Sequence, residues 1–146
     1  VSLVHSDAIV RGIRITMHVA PGLPSVCGDK VQLQQVLLNL MLNAFDALQG
    51  CIAADRLVAV QALVDTGGAV RLCVRDHGRG LTVDQMDKIF QPFFTSKPHG
   101  LGLGLSISRS IVGAHGGRIW AENNAEGGAS FYVSLPAGRA AGPSRM

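Results

Sequence analysis

Asp76-His77-Gly78-Arg79-Gly80-Leu81 is the stretch best equipped for ligand chemistry. It follows Val70-Arg71-Leu72-Cys73-Val74-Arg75, whose alternation predicts a β-strand with one buried face. A carboxylate at a strand end, followed at once by Gly-x-Gly, offers a rigidly held acceptor beside backbone that a flat ligand can approach, because glycine has no Cβ. That chemistry suits a nucleobase. An ordinary Asp/Gly turn after a strand is the plain alternative.

Two other polar groups sit in unusual company. Asn39 and Asn43 are four apart inside an apolar helical pattern, so both project on one side, with Asp46 a turn further along. Asparagine is an indifferent helix former because its amide competes for backbone groups. The pair therefore points to a polar ligand or a metal, or else to a buried polar pair bonding a neighbouring loop. Gly100-Leu101-Gly102-Leu103-Gly104-Leu105 runs into a helical pattern over Ser106 to His115. Alternating glycines at a helix N-terminus present unobstructed N–H groups and a positive dipole end to an anion, which suits a polyphosphate; a flexible hinge fits the same residues. The run is neither a Walker loop, since no G-K-[ST] follows, nor a dinucleotide fingerprint, since no tight strand–GxGxxG–helix unit is present. Just ahead, Thr95-Ser96-Lys97-Pro98-His99 is short, polar and expected to be mobile. Phe90, Phe93 and Phe94 flank Pro92 and read in part as core.

These groups need elements to hold them. Val1 to Arg11 has helical spacing that Gly12 ends, and Ile13 to Val19 alternates as a strand. Asp29 is a good N-cap for the longest helix, expected over about Lys30 to Gln49, with Val36, Leu37, Leu40, Met41, Ala44 and Leu48 on its buried face. Leu57 to Val64 and Val70 to Asp76 read as a hairpin turning at Asp65-Thr66-Gly67-Gly68. Thr82 caps a short helix over Val83 to Lys88. Arg118 to Glu122 and Ala129 to Leu135 close the pattern as paired strands, and residues 136–146 lack periodicity and read as a disordered tail or linker.

With 146 residues and 15.3 kDa, the chain is long enough for one domain with a real core. A charged fraction of 16% and mean hydropathy of +0.29 argue against disorder. No run approaches a membrane span and no signal-peptide pattern opens the chain, which predicts a soluble, cytoplasmic module. The chain begins without Met inside an apolar pattern, as a piece of a longer protein would. Cys27, Cys51 and Cys73 are odd in number, lack C-x-x-C spacing and sit in apolar contexts, so all three are expected as small core residues in a reducing compartment. The net charge of +3 comes mainly from scattered arginines without interleaved aromatics. Nucleic-acid binding is therefore disfavoured, and an anionic small ligand or an acidic partner suits the same balance.

In order and spacing, Asn39/Asn43, Asp76-x-Gly78-x-Gly80, Phe90/Phe93/Phe94 with Thr95 and Lys97, and Gly100/Gly102/Gly104 resemble the N, G1, F and G2 boxes of sensor histidine kinases. Those ATP-binding domains are a branch of the GHKL superfamily. The resemblance spans about residues 12 to 135, and the Phe-Phe-Thr-Ser-Lys, Gly-Leu-Gly-Leu-Gly-Leu and His115-Gly116-Gly117 segments look most like the nitrogen-regulation and oxygen-sensor kinases. It implies an α+β, two-layer sandwich: a mixed, mostly antiparallel sheet of about five strands covered on one face by about three helices. By similarity, Asp76 accepts a hydrogen bond from the adenine amine, while guanine would set a carbonyl against it at a cost of roughly 1–3 kcal/mol. Asn43 supplies an oxygen to Mg²⁺, and Asn39 and Asp46 meet phosphate, ribose or metal-bound water. Many relatives carry Lys or Arg at the Asp46 position. Gly78, Gly80, Phe90 and the segment Gly100, Leu101, Gly102, Leu103, Gly104 and Leu105 line the nucleotide, Thr95 and Lys97 face the phosphates, and Ser130 holds a water near Asp76.

Gyrase-like and Hsp90-like relatives place a glutamate general base one turn before the metal-binding asparagine. Here that position is Asn39, and an amide cannot take a proton at neutral pH. Phosphoryl transfer to a neutral imidazole needs no such base, so the resemblance favours a kinase over the alternatives, a GHKL ATPase or switch and a nucleotide-binding scaffold. None of His5, His77 and His115 fits as the phosphoacceptor. The expected partners are dimerisation and acceptor helices upstream, over which residues 1–11 would form the link, and a response-regulator receiver domain. Such a parent would be a homodimer, inner-membrane anchoring left open, and the isolated domain a monomer.

Overall fold

The computed structural model describes residues 12–48, 50–52, 56–91 and 104–138. They form β1 (Arg14–Val19), α1 (Lys30–Ala47), β2 (Leu57–Val64), β3 (Val70–Asp76), α2 (Val83–Lys88), α3 (Gly104–Ala114), β4 (Arg118–Asn123) and β5 (Ala129–Leu135). One sheet runs β1-β2-β3-β5-β4, parallel between β1 and β2 and antiparallel elsewhere. This is the α+β sandwich expected from the sequence. The expected helix over residues 1–11 lies outside the described residues, as does the tail from 139.

Alternation decides what each face carries. Across the antiparallel ladders Val58 pairs with Asp76, Val60 with Val74, and Val74 in turn with Phe131, so these side chains share one face. Helix α1 lays Leu33, Val36, Leu40, Met41, Ala44 and Phe45 on that face, and these join Val58, Val60, Val74, Phe131 and Val133 in the buried core. Burying one such side chain is worth roughly 1.5–3 kcal/mol, which makes this face the main source of stability. Asp76 stands on the same face, where the apolar ladder ends.

Local chemistry sets the boundaries. Asp29 Oδ1 accepts from the Gln32 N–H at 3.1 Å and starts α1. Asp65 Oδ1 accepts from the N–H groups of Gly67 and Ala69, closing the β2–β3 hairpin. Thr82 and Gln85 form a reciprocal capping box for α2. Of the three cysteines, Cys73 is buried and Cys51 half-buried, but Cys27 is exposed, which corrects its expected core position. In the loop before α1, Val26 takes the inward place instead. Residues 136–138 follow β5, and the Gly138 N–H donates to the Ser25 carbonyl.

Candidate functional site

Asp76 is 1% exposed. Its Oδ1 accepts from the backbone N–H groups of Gly78 at 2.8 Å and Ala129 at 3.3 Å. Its Oδ2 is buried and has no hydrogen-bond partner among the described residues. Burial pushes the carboxyl pKa above its ordinary value, against the pull of those two N–H groups, His77 and Arg79. A buried acceptor without a donor costs about 1–3 kcal/mol, so Oδ2 is a place prepared for an incoming N–H.

The chain around Asp76 is held from both sides. A Cβ on Gly78 would run into the Ala47 carbonyl at the end of α1, so this glycine seats the turn against the helix. Gly80 has φ +73°, in the left-handed region, and the Asn123 amide clasps its neighbour: Leu81 N–H donates to Asn123 Oδ1 at 2.8 Å, and Asn123 Nδ2 donates to the Leu81 carbonyl at 2.7 Å. Asn124 Nδ2 donates to the Asp76 carbonyl at 3.3 Å, and a Cβ on Gly128 would collide with that same carbonyl. Asn123, Asn124, Gly128 and Ala129 escape a reading of the sequence because an Asn-Asn-x-x-Gly-Gly stretch between strands reads as turn chemistry alone.

Helix α1 contributes two polar positions. Asn43 lies one turn before Ala47, on the side that meets Gly78, and its amide has no hydrogen-bond partner among the described residues. Asn39, a turn earlier, is fully engaged. Its Oδ1 accepts from Gln35 Nε2 at 2.9 Å, and its Nδ2 donates to the Gly104 carbonyl and Ser108 Oγ, each at 3.1 Å. Ser108 Oγ in turn donates to the Gly104 carbonyl at 2.8 Å. Asn39 and Gly104 are thus brought together by α1 and the first turn of α3, with Leu105 half-buried against the core.

The remaining predicted residues divide. Phe90 packs edge-on against Phe131, with centroids 6.2 Å apart. Asp46 is half-buried, three residues beyond Asn43, and its carbonyl accepts from the Leu48 N–H. Ser130 pairs with Arg75, on the opposite sheet face from Asp76, and its Oγ donates to Asn124 Oδ1 at 2.7 Å, so it reaches Asp76 through Asn124. Thr95, Lys97, Gly100, Leu101, Gly102 and Leu103 lie outside the described residues.

These residues fit an adenine nucleotide: the buried Asp76 Oδ2 lacks a donor among the described residues. Among the described residues no group of three or more His, Cys, Asp and Glu could hold a metal. The Asn43 amide oxygen nevertheless suits a magnesium ion that takes most of its ligands from phosphates and water.

Residues 28–139 match the family described as histidine kinase-, DNA gyrase B-, and HSP90-like ATPase, and the chain belongs to that family. Within it, the chain is similar to sensor kinases. Sensor protein FixL of Bradyrhizobium diazoefficiens is 43% identical over 127 residues, which are 87% of this chain and 25% of FixL. The chain therefore spans a quarter of that relative. The catalytic domain of histidine kinase ThkA superposes with a TM-score of 0.76 at 32% identity, covering 93% of this chain and 86% of that one. Full-length ShkA, solved in complex with AMPPNP, gives a TM-score of 0.77 at 33% identity over 97% of this chain and 29% of its own.

Proposed function

We propose that this domain binds Mg-ATP and donates the γ-phosphoryl group to a histidine on a separate dimerisation domain, as the catalytic part of a two-component sensor histidine kinase. The observation that carries this reading is the buried, donorless Oδ2 of Asp76. The adenine amine satisfies it, whereas guanine presents a carbonyl there. The backbone N–H groups of Gly78 and Ala129 hold the carboxylate by its other oxygen, so it does not reorient to accept the base. Gly78 and Gly80 let the turn after Asp76 close against the Ala47 carbonyl and the Asn123 amide, which fixes the carboxylate in place. Asn43 would hold a magnesium ion by its amide oxygen, and the ion would supply positive charge to offset that of the phosphates. Thr95, Lys97 and the glycine-run N–H groups steady the phosphates, and the work of the domain is positioning and charge stabilisation.

Hydrolysis is poorly served. A general base one turn before Asn43 would have to be Asn39, whose amide is spent on Gln35, Gly104 and Ser108 and has no proton-accepting nitrogen. Response-regulator docking, homodimerisation of the parent and a cytoplasmic location belong to the same proposal. The deciding experiment titrates the domain with ATP and GTP analogues, then supplies acceptor helices of the parent protein in trans with radiolabelled ATP. Adenine-selective binding and an acid-labile phosphohistidine on the helices are expected. Equal affinity for guanine, or multiple-turnover hydrolysis without phosphohistidine, would overturn the reading.

A further inference from the structure

Helices α1 and α3 pack on one face of the sheet, and Arg71, Trp120 and Tyr132 alternate onto the other. Trp120 and Tyr132 sit directly opposite across β4 and β5 and stack, with centroids 5.3 Å apart and planes 17° from parallel. The Arg118 guanidinium carbon lies 4.9 Å from the Trp120 ring centroid. That of Arg71 lies 5.3 Å from Trp120 and 5.9 Å from Tyr132. Two cations are thus mounted on one aromatic pair.

A guanidinium held over a ring by cation–π attraction can still fork onto a carboxylate through its two terminal nitrogens. Among the described residues neither Arg71 nor Arg118 has a carboxylate partner, whereas neighbouring Arg75 has Glu126 at 3.5 Å. Arg71 Nε is buried without a partner, so this side chain lies down along the sheet instead of extending into water. Its rotamer is already chosen, which lowers the ordering cost of binding.

We propose that this open sheet face docks an acidic protein segment, whose carboxylates fork onto Arg71 and Arg118 while its backbone or an apolar side chain covers Trp120 and Tyr132. Charge complementarity names the occupant. Two such guanidiniums match individual carboxylates bidentately. A nucleic-acid backbone would need a longer track of cations than the pair mounted here. The proposal rests on this face alone and stands or falls independently of the nucleotide site.

Trp120 is the single tryptophan of the chain, so its emission reports on this patch. The probe is a short labelled polyglutamate peptide, followed by anisotropy and by Trp120 fluorescence, with single-stranded DNA of equal charge in parallel. Saturable peptide binding with a change in Trp120 emission is expected. The double variant Arg71→Gln/Arg118→Gln should weaken it by about tenfold or more. The Arg71→Lys/Arg118→Lys double variant, which keeps charge and folding but loses the planar fork, should also weaken it. Arg109→Gln, removing an exposed charge from α3, should leave it unchanged. Absence of a Trp120 response, equal weakening by Arg109→Gln, undiminished binding by the lysine variant, or DNA binding as tight as the peptide would each overturn the proposal.

Discussion

Asn39 Nδ2 donates to the Gly104 carbonyl at 3.1 Å, tying the middle of α1 to the first residue of α3. The same amide donates to Ser108 Oγ, so its removal takes one donor from each of two α3 groups at once. Asn39→Ala should cost about 1–2 kcal/mol in denaturant unfolding. Asn39→Asp should cost more, because it sets a charged acceptor against the Gly104 carbonyl. Equal stability of wild type and both variants would show that the tie contributes nothing.

Asp76→Asn should keep the fold and lose nucleotide. The amide oxygen can keep the Gly78 and Ala129 N–H bonds, while the amide nitrogen, in the place of Oδ2, turns a donor toward the adenine amine. Loss of about 1–3 kcal/mol, roughly fivefold to 150-fold in affinity, is expected by calorimetry. Unchanged affinity would remove Asp76 from the site.

The same residue sets a pH dependence. Burial raises its pKa in the folded domain above that of the unfolded chain. Its contribution to stability is therefore fully present below the unfolded value and is lost as pH rises through the raised folded value. The free wild type should lose stability relative to Asp76→Asn across that window. Nucleotide affinity should move the other way, falling by about tenfold per pH unit below the folded pKa, because a proton on Oδ2 meets the amine donor to donor. Denaturation and binding series for both proteins check the two signs.

Gly78→Ala should damage the site through packing. Its Cβ would press on the Ala47 carbonyl, which belongs to helix backbone and cannot step aside. The turn must move, at about 1–3 kcal/mol of stability, and nucleotide affinity should fall with it. A Gly78→Ala variant that binds normally would show that the turn is not seated on α1.

Asn43→Ala should leave stability close to wild type, since its amide has no partner among the described residues. Its expected effect is on metal coupling: the tightening of ATP binding by Mg²⁺ should disappear, while metal-free binding persists. Titrations with and without Mg²⁺ separate the two, and a variant that retains the tightening would rule out Asn43 as a ligand.

Much of the scaffold is legible in the sequence because its determinants are local. Asp29 announces α1, Asp65-Thr66-Gly67-Gly68 announces the hairpin, and alternation marks β2 and β3 to their end residues. Asp76 and the Asn39/Asn43 pair are legible because polar residues interrupt apolar periodicity. What the amides touch is not, because the partners are far along the chain. Gly104 lies 65 residues beyond Asn39. His115 Nε2 accepts from the Asp29 N–H, 86 residues back, while its Nδ1 donates to the Ile111 carbonyl. The stacked arginines stay hidden for the same reason: scattered in sequence, they become neighbours only through strand register.

The parallel ladder between β1 and β2 has a kinetic consequence. β3 can zip onto β2 across a tight turn, but β1 cannot be bonded until α1 has folded back between them, so its ladder closes late. It is also an edge strand, with Met17 58% and Val19 60% exposed. In amide exchange, β1 should lose its protons soonest of the five strands, and β3, at the centre of the sheet, should keep them longest.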